Sequence, residues 1–266
     1  MTLAPPDRWA DLRPRVLSGA VMVAVGALAI WDGGAVFAAL VLAVCAGMIW
    51  ELGCMTRPGA RDAVSGLLAL VAAACLLVVF SFDAPWLLVL LVLPSVLGAL
   101  VARRIRVVFA AYAFGVMLTG HGLVTLRDGH GLAVIVWLVL VVAASDLMGY
   151  FAGRIVGGPK FWPRISPKKT WSGTVAGWIG AVMVGLGFVL AGQGGWGLVV
   201  LSPLVALAGQ MGDIAESWIK RHTGVKDSSG LIPGHGGVMD RFDALAAAAV
   251  LVYLLSAVMM LPIGGR

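Results

Sequence analysis

The stretch "GLAVIVWLVLVVAASDLMGYFA", residues 131–152, decides the fold class because it is apolar almost throughout. A bilayer core about 30 Å thick requires roughly 20 apolar residues per helix, so the stretch predicts a membrane span. It contains one acid, Asp146, and a central acid costs about 2.5 to 3.5 kcal/mol on insertion scales. We therefore expect Asp146 to line a polar cavity; the alternative is a partner in helix packing.

The rest of the chain has the same character. Its 266 residues are 61% hydrophobic and 12% charged, with a mean hydropathy of +0.99, outside the range of soluble domains. These values predict an all-α, polytopic integral membrane bundle forming a single domain over 1–266, with N-terminal helices in 1–140 and catalytic helices and loops in 141–266. Nine apolar runs are predicted spans: about 15–32, 34–54, 63–81, 85–102, 107–126, 131–152, 171–191, 196–213 and 243–262.

The basic residues predict the orientation of these spans. With the N-terminus in the cytoplasm, 17 of the 19 Lys and Arg residues fall on the cytoplasmic side, as the positive-inside rule requires. Only Arg127 and Arg266 fall outside, which favours nine spans over eight. The pI of 9.7 indicates a basic face beside anionic lipid, without nucleic acid. The cytoplasmic set is Arg8, Arg13, Arg15, Arg57, Arg61, Arg103, Arg104, Arg106, Arg154, Lys160, Arg164, Lys168, Lys169, Lys220, Arg221, Lys226 and Arg241.

One predicted cytoplasmic loop is rich in acids: "GDIAESWIKRHTGVKDSSGLIPGHGGVMDRFD", residues 212–243. Helical spacing places Asp213, Ser217 and Lys220 on one face, with Glu216 beside them. Asp240 and Asp243 lie one turn apart where the ninth span starts, and a helix N-terminus stabilises negative charge. Carboxylates from two helix ends, without Cys or paired His, suit a hard cation such as Mg²⁺.

Between those helix ends, several glycines and a proline preclude regular helix and allow backbone amides to approach a ligand. They are Gly230, Pro233, Gly234, Gly236 and Gly237. His235 lies among them, and a hydrogen bond within a turn is its alternative role.

A second loop contains "RISPKKTW", residues 164–171, which predicts a helix start with Ser166 as N-cap and Pro167 at the first position. Lys168 and Lys169 would then lie in the first turn, where the helix dipole disfavours cations by up to about 1 kcal/mol. A phosphate at the same helix end would offset this cost; the alternative is ordinary basic flanks. Together the two loops predict a membrane-face site for a divalent metal and several phosphates.

The stretch "SWIKRHTGVKDSSGLIPGHGGVMDRFD", residues 217–243, resembles the signature of the phosphatidate cytidylyltransferase (CDP-diacylglycerol synthase) family. "SDLMGYFAGRIVGGPKFWPRISPKKTW", residues 145–171, is similar to the family's Asp and aromatic followed by Ser-Pro-Lys-Lys-Thr, and "WEL" at 50–52 to its second-span acid. One departure is Ser172, where many relatives have Glu; if that acid shares in the charge balance around the metal, metal affinity or preference would differ here. The signature matches at Ser217, Lys220, Arg221, Lys226, Asp227, Pro233, His235, Gly236, Gly237, Asp240, Arg241 and Asp243.

The resemblance implies transfer of CMP from CTP to phosphatidic acid, giving CDP-diacylglycerol and pyrophosphate for phospholipid synthesis at the inner membrane. It also implies Mg²⁺ as the cofactor, a homodimer, and an active site that faces the cytoplasm at the inner leaflet. Whether a second cation or a monovalent cation also binds stays open. The lipid phosphate is largely ionised near pH 7, since its second pKa is about 6, so no dedicated general base is required and His235 need not be one. Cations and positioning should dominate catalysis.

Roles follow for the matching residues. The metal ligands are expected to be Asp213 and Asp240, with Asp243 and Asp227 as further candidates. The bases Lys220, Arg221, Lys226 and Arg241 would neutralise phosphates, and His235 completes the catalytic set. The expected substrate-binding set is Asp146, Ser166, Lys168, Lys169, Thr170, Ser217, Gly236 and Gly237.

Two alternatives stay open at this point. A CTP-dependent polyprenol or phytol kinase-like enzyme would share a cytidine site, but the full His-Gly-Gly and Asp-Arg-Phe-Asp block argues against it. A membrane transporter would carry ionisable residues near the midplane and two related halves. Here nearly all charges gather at one face and no half-repeat is visible.

Overall fold

The structure is a computed structural model that describes residues 12–57 and 63–263, without the side chains of residues 12–14. Within these ranges, eight helices are long and apolar enough to cross a membrane, so the chain is an all-α, multi-pass membrane protein as predicted. The α-helices are α1 Leu12–Asp32, α2 Gly34–Thr56, α3 Ala63–Ser81, α4 Leu93–Val101, α5 Arg106–His130, α6 Leu132–Ile155, α7 Trp171–Leu190, α8 Gly197–Thr223 and α9 Met239–Val258.

The fourth predicted span differs from the others. A 3₁₀ helix at Pro85–Val92 leads into the short helix α4, and this apolar segment, Pro85–Val101, falls short of the length of the eight long helices. A 3₁₀ helix rises about 2.0 Å per residue and an α-helix about 1.5 Å, so the two segments end to end measure about 30 Å. That length matches the hydrocarbon core, so a ninth crossing at this segment stays a prediction.

Helix α8 is longer than predicted, because it continues past residue 213 to Thr223. Its 27 residues measure about 40 Å, some 10 Å more than the hydrocarbon core is thick. Its C-cap residue is Gly224, whose φ of 82° is left-handed and whose amide donates to the Lys220 carbonyl at 3.0 Å. The last turns of α8 therefore carry Asp213, Glu216, Lys220 and Arg221 of the acidic loop on a regular helix.

The predicted helix start at Ser166 and Pro167 is wrong. Two strands, β1 Lys160–Trp162 and β2 Ser166–Thr170, pair antiparallel, and α7 begins only at Trp171. Thr170 is the N-cap, since its hydroxyl accepts from the Gly173 amide at 3.2 Å. Residues 166–170 are extended because they pair with β1, so this segment cannot also be the first turn of a helix. As a result, Lys168 and Lys169 lie on a strand, and no helix dipole opposes them in the way the sequence suggested.

Side-chain contacts bring several helix ends to one face of the bundle. We call this surface the charged face; it comprises the N-terminal ends of α1, α5, α7 and α9, the C-terminal ends of α2, α6 and α8, and the adjoining loops. The contacts are Ser18 with His235, Glu51 with Ser228, Arg104 with the Thr223 carbonyl, and Lys169 with Asp213. Of the basic residues counted above, Arg8, Arg61 and Arg266 lie outside the described residues, as does the side chain of Arg13.

A close approach of α8 and α9 positions the acids of the charged face. A Cβ at Gly212 would lie 2.5 Å from the Asp243 carbonyl oxygen and 2.7 Å from Ala247 Cβ. Only a glycine lets the two backbones meet there, as small residues do in membrane helix pairs. The next residue on α8 is Asp213, so this contact places it beside Asp243.

Arg127, the basic residue expected on the opposite side, lies near the C-terminal end of α5. Its Nε donates to the Ile30 carbonyl at 3.1 Å and its Nη2 to the Trp31 carbonyl at 3.3 Å. These carbonyls belong to the last turn of α1, whose acceptors have no partner within the helix. Arg127 therefore caps α1 from a neighbouring helix.

We expect Arg127→Ala to lower the thermal unfolding midpoint in detergent, because hydrogen bonds to a charged group contribute about 1.5 to 3 kcal/mol. The control is Asp128→Ala, an exposed neighbour on the same helix. Equal midpoints for the two variants would contradict the capping role.

Candidate active site at the charged face

Two adjoining cavities open at the charged face, and both are lined by Asp146 and Asp213. The larger, of 520 Å³, lies among α6, β2, α7 and α8, and its volume suits a small-molecule ligand. Its charged and hydroxyl lining includes Tyr150, Arg154, Lys168, Lys169 and Thr170. The smaller, of 240 Å³, is lined by Asp146, Asp213, Glu216, Lys220, Asp227, Asp240, Arg241, Asp243 and Ala244.

Three carboxylates converge in the smaller cavity. One oxygen from each of Asp213, Glu216 and Asp243 lies within 4.8 Å of the other two, and we call this group the acid cluster. Glu216 is 1% exposed, and its Oε1 is a buried oxygen without a hydrogen-bond partner among the described residues. Glu216 and Asp243 are buried, and carboxylates this close repel one another unless a cation lies between them or one of them binds a proton. An oxygen-only set with an unsatisfied acceptor therefore fits a hard divalent cation.

Asp240, one of the predicted metal ligands, lies outside the acid cluster. Its Oδ1 accepts from Lys220 Nζ at 2.7 Å, and its Oδ2 accepts the amides of Ser228 at 3.0 Å and Gly237 at 2.8 Å. These donors occupy the carboxylate, so the contacts favour Glu216 over Asp240 as the third acid. The i+3 spacing from Asp213 to Glu216 on α8 is the sequence signal that identifies it.

The predicted helical face on α8 is confirmed. Ser217 Oγ donates to Asp213 Oδ1 at 3.3 Å, one turn away. Lys220 Nζ lies 2.5 Å from Glu216 Oε2 and 2.7 Å from Asp240 Oδ1, so it bridges α8 and the start of α9. The ammonium group compensates two acids at once, and this fixes the side chains around the cluster.

The two predicted loops also meet. Lys169 Nζ lies 2.6 Å from Asp213 Oδ2 and donates to the Gln210 carbonyl at 3.3 Å, which joins β2 to α8. Lys168 and Thr170 line the larger cavity with it. A basic cavity and an acid cluster are therefore adjacent, with Lys169 and Asp213 at their boundary.

A sequence profile of the cytidylyltransferase family matches residues 13–259. The chain belongs to this family. A phosphatidate cytidylyltransferase from Brucella abortus is 36% identical over 261 residues, covering 95% of this chain and 96% of that protein. A second, from Haemophilus influenzae, is 42% identical over 126 residues, covering 45% of this chain and 44% of that protein.

Several residues singled out in this cytidylyltransferase-family chain lie outside the lining of both cavities. Arg221 and Lys226 are exposed, and the Ser217 hydroxyl donates to Asp213. The full set is Ser166, Ser217, Arg221, Lys226, His235, Gly236 and Gly237. Their direct contact with substrate stays a prediction.

His235 and Gly237 have defined partners within the protein. The His235 ring bonds through Nδ1 to Ser18 Oγ at 2.8 Å, and its carbonyl accepts from Arg241 Nε at 2.9 Å and Nη2 at 2.7 Å. The Gly237 amide donates to Asp240 rather than standing free for a phosphate. These contacts favour a role for both residues in the shape of the loop.

Ser172, where many family members have Glu, lies in the first turn of α7. Its hydroxyl donates to the Gly157 carbonyl and lies 3.0 Å from Thr170 Oγ1. Ser172 is not a member of the acid cluster. Its contacts connect α7 to the segment before the β1–β2 hairpin.

Proposed function

We propose that this chain is a phosphatidate cytidylyltransferase. A phosphate oxygen of phosphatidic acid attacks the α-phosphorus of CTP, a new oxygen–phosphorus bond forms, and the bond to the β-phosphate oxygen breaks. The products are CDP-diacylglycerol and pyrophosphate. The observation that carries this proposal is the acid cluster beside Lys169, at the charged face of a family member whose relatives bear that name.

The two substrates are strongly anionic, so their mutual repulsion is the main obstacle to reaction. Arg154, Lys168 and Lys169 supply positive charge in the larger cavity, where phosphates would bind and lie in line for attack. Asp213, Glu216 and Asp243 would hold Mg²⁺. When bound, this cation would neutralise phosphate oxygens and the charge that develops on pyrophosphate.

No side chain needs to remove a proton from the nucleophile. A phosphate monoester has a second pKa of about 6, so phosphatidate is largely dianionic near pH 7. Catalysis then rests on charge compensation and orientation, and the paired acids and bases of the charged face serve both purposes.

The location of the site also belongs to this proposal. Basic residues concentrate on the charged face, and the positive-inside rule assigns that face to the cytoplasmic side of the inner membrane. CTP would arrive from the cytosol, while phosphatidic acid keeps its acyl chains in the inner leaflet. The predicted homodimer is tested by a mass measurement in lipid nanodiscs.

We expect purified protein with Mg²⁺, CTP and phosphatidic acid to release pyrophosphate and CDP-diacylglycerol in equal amounts. The measurement is radiolabelled lipid product together with a coupled pyrophosphate assay. Diacylglycerol and a polyprenol serve as control acceptors, since an alcohol acceptor would indicate a kinase-like reaction. Phosphorylation of an alcohol, or no product from phosphatidic acid, would contradict the proposed cytidylyltransferase activity.

A further inference from the structure

Glu51 is a fully buried carboxylate within the apolar helix α2, with 0% of its surface exposed. Burying a charge of this kind is costly unless donors surround it. Here both oxygens accept hydrogen bonds from one loop and the helix that follows it. The donors are Ser228 Oγ at 3.0 Å, Ser229 Oγ at 2.6 Å, the Val238 amide at 2.8 Å and the Met239 amide at 2.6 Å.

Two of these donors are amides at the start of α9. Helix α9 begins at Met239, and its N-cap residue, Val238, forms no side-chain capping bond. The first amides of a helix have no partner within it, and the helix N-terminus favours negative charge. Glu51 therefore caps α9 from another helix, and the α9 dipole helps to offset the cost of burying the carboxylate.

This cap fixes where α9 begins, and α9 carries two acids of the site. Asp240 follows Met239 directly, and Asp243 of the acid cluster lies one turn later. Ser228 Oγ lies 2.9 Å from Asp240 Oδ2 and 3.0 Å from Glu51 Oε2, and its single proton can be donated to either carboxylate, so one hydroxyl joins the cap to the site. A Cβ at Gly237 would overlap the Ser228 hydroxyl and Glu51, which explains a glycine there.

We propose that Glu51 is a positioning residue, which holds the 228–239 loop and the start of α9 so that Asp240 and Asp243 keep their places in the site. The proposal rests on the proposed function for its catalytic consequence. Displacement of Asp243 would open the acid cluster, so Glu51 should also affect cation binding, whatever reaction the site catalyses.

The test is Glu51→Gln in the full-length protein. Glutamine keeps the shape but directs an NH₂ group at donors, and the two backbone amides cannot turn away. Loss of a residue that orients a metal ligand typically costs about 10- to 100-fold in metal affinity or activity, so we expect that range for kcat and for Mn²⁺ affinity measured by electron paramagnetic resonance. Hydrogen exchange at residues 228–243 should increase at the same time.

Thr56→Val is the matched control. Thr56 is also fully buried on α2, but its hydroxyl donates to the Leu52 carbonyl of its own helix at 2.9 Å. We expect it to retain wild-type kcat, Mn²⁺ affinity and exchange in the 228–243 segment. An equal loss in Thr56→Val would show general damage to α2 and overturn the proposal.

Wild-type Mn²⁺ affinity and kcat in Glu51→Gln would also overturn it. If that variant does not fold, Ser229→Ala removes a single donor, and an unchanged Mn²⁺ affinity in Ser229→Ala would count against the proposal. If the wild type itself makes no CDP-diacylglycerol, the proposed function fails, while Mn²⁺ binding and hydrogen exchange still test Glu51.

Discussion

Asp243→Asn is expected to reduce CDP-diacylglycerol formation by about 10³-fold or more, since a bound metal contributes several kcal/mol of transition-state charge stabilisation. The asparagine keeps the side-chain volume at a position that is only 8% exposed, so the fold should persist. It removes one of three charges from the acid cluster. The measurements are kcat and Mn²⁺ affinity, with thermal unfolding as the check on folding.

Two further variants separate the metal ligands that the sequence favours from those that the structure favours. Glu216→Gln should weaken Mn²⁺ binding as much as Asp243→Asn does, because both acids belong to the cluster. Asp240→Asn should lower kcat with a smaller loss of Mn²⁺ affinity, because Asp240 accepts from Lys220 and two amides. If Glu216→Gln keeps the wild-type Mn²⁺ affinity and Asp240→Asn loses most of it, then Asp240 is a metal ligand, as the sequence predicted, and Glu216 is not.

Gly212→Ala is expected to lower both stability and activity, although alanine normally favours a helix. Its Cβ would lie 2.5 Å from the Asp243 carbonyl oxygen, a backbone atom that can yield only if α9 moves. Overpacking of this kind costs about 1 to 3 kcal/mol of unfolding free energy. A displacement of about 1 Å in a catalytic group can cost about 10²-fold in rate, so we expect a loss of that order in kcat.

Gly115→Ala is the control, because a Cβ at this α5 glycine meets nothing within 4 Å. There the substitution should raise stability by about 0.5 to 1 kcal/mol through helix propensity, with activity unchanged. The two substitutions are chemically identical and should have opposite signs. Equal stability changes at both positions would contradict the close approach of α8 and α9.

The span pattern was predictable because it depends on local composition. A helix in hydrocarbon satisfies its own backbone hydrogen bonds, so a long apolar run specifies its own structure. Eight of the nine runs are long helices, and the segment at 85–101 is shorter because part of it is a 3₁₀ helix. The helical face of Asp213, Ser217 and Lys220 was predictable for the same reason, since 3.6-residue periodicity is a local property.

The helix start at Ser166 was mispredicted because capping patterns describe only neighbouring residues. Ser-Pro-Lys-Lys satisfies such a pattern, yet residues 166–170 pair with β1, and the Trp171 amide donates to the Pro159 carbonyl at 3.0 Å. The Phe161 and Trp171 rings also pack with their centroids 4.7 Å apart. Contacts with residues 159–162, which lie outside the capping pattern, outweighed the local preference.

The sequence by itself determined a multi-pass helical protein, its charged face and the family motif, because each depends on composition or on spacing along one segment. Only the tertiary structure decided which acids share a site. Asp213, Glu216 and Asp243 meet because Gly212 lets α8 and α9 approach, and because Glu51, 188 residues before Met239, caps α9. Helical spacing on α8 already places Asp213 and Glu216 side by side. Carboxylates repel one another and Asp243 belongs to another helix, so only the packing of α8 against α9 brings the third acid to the other two.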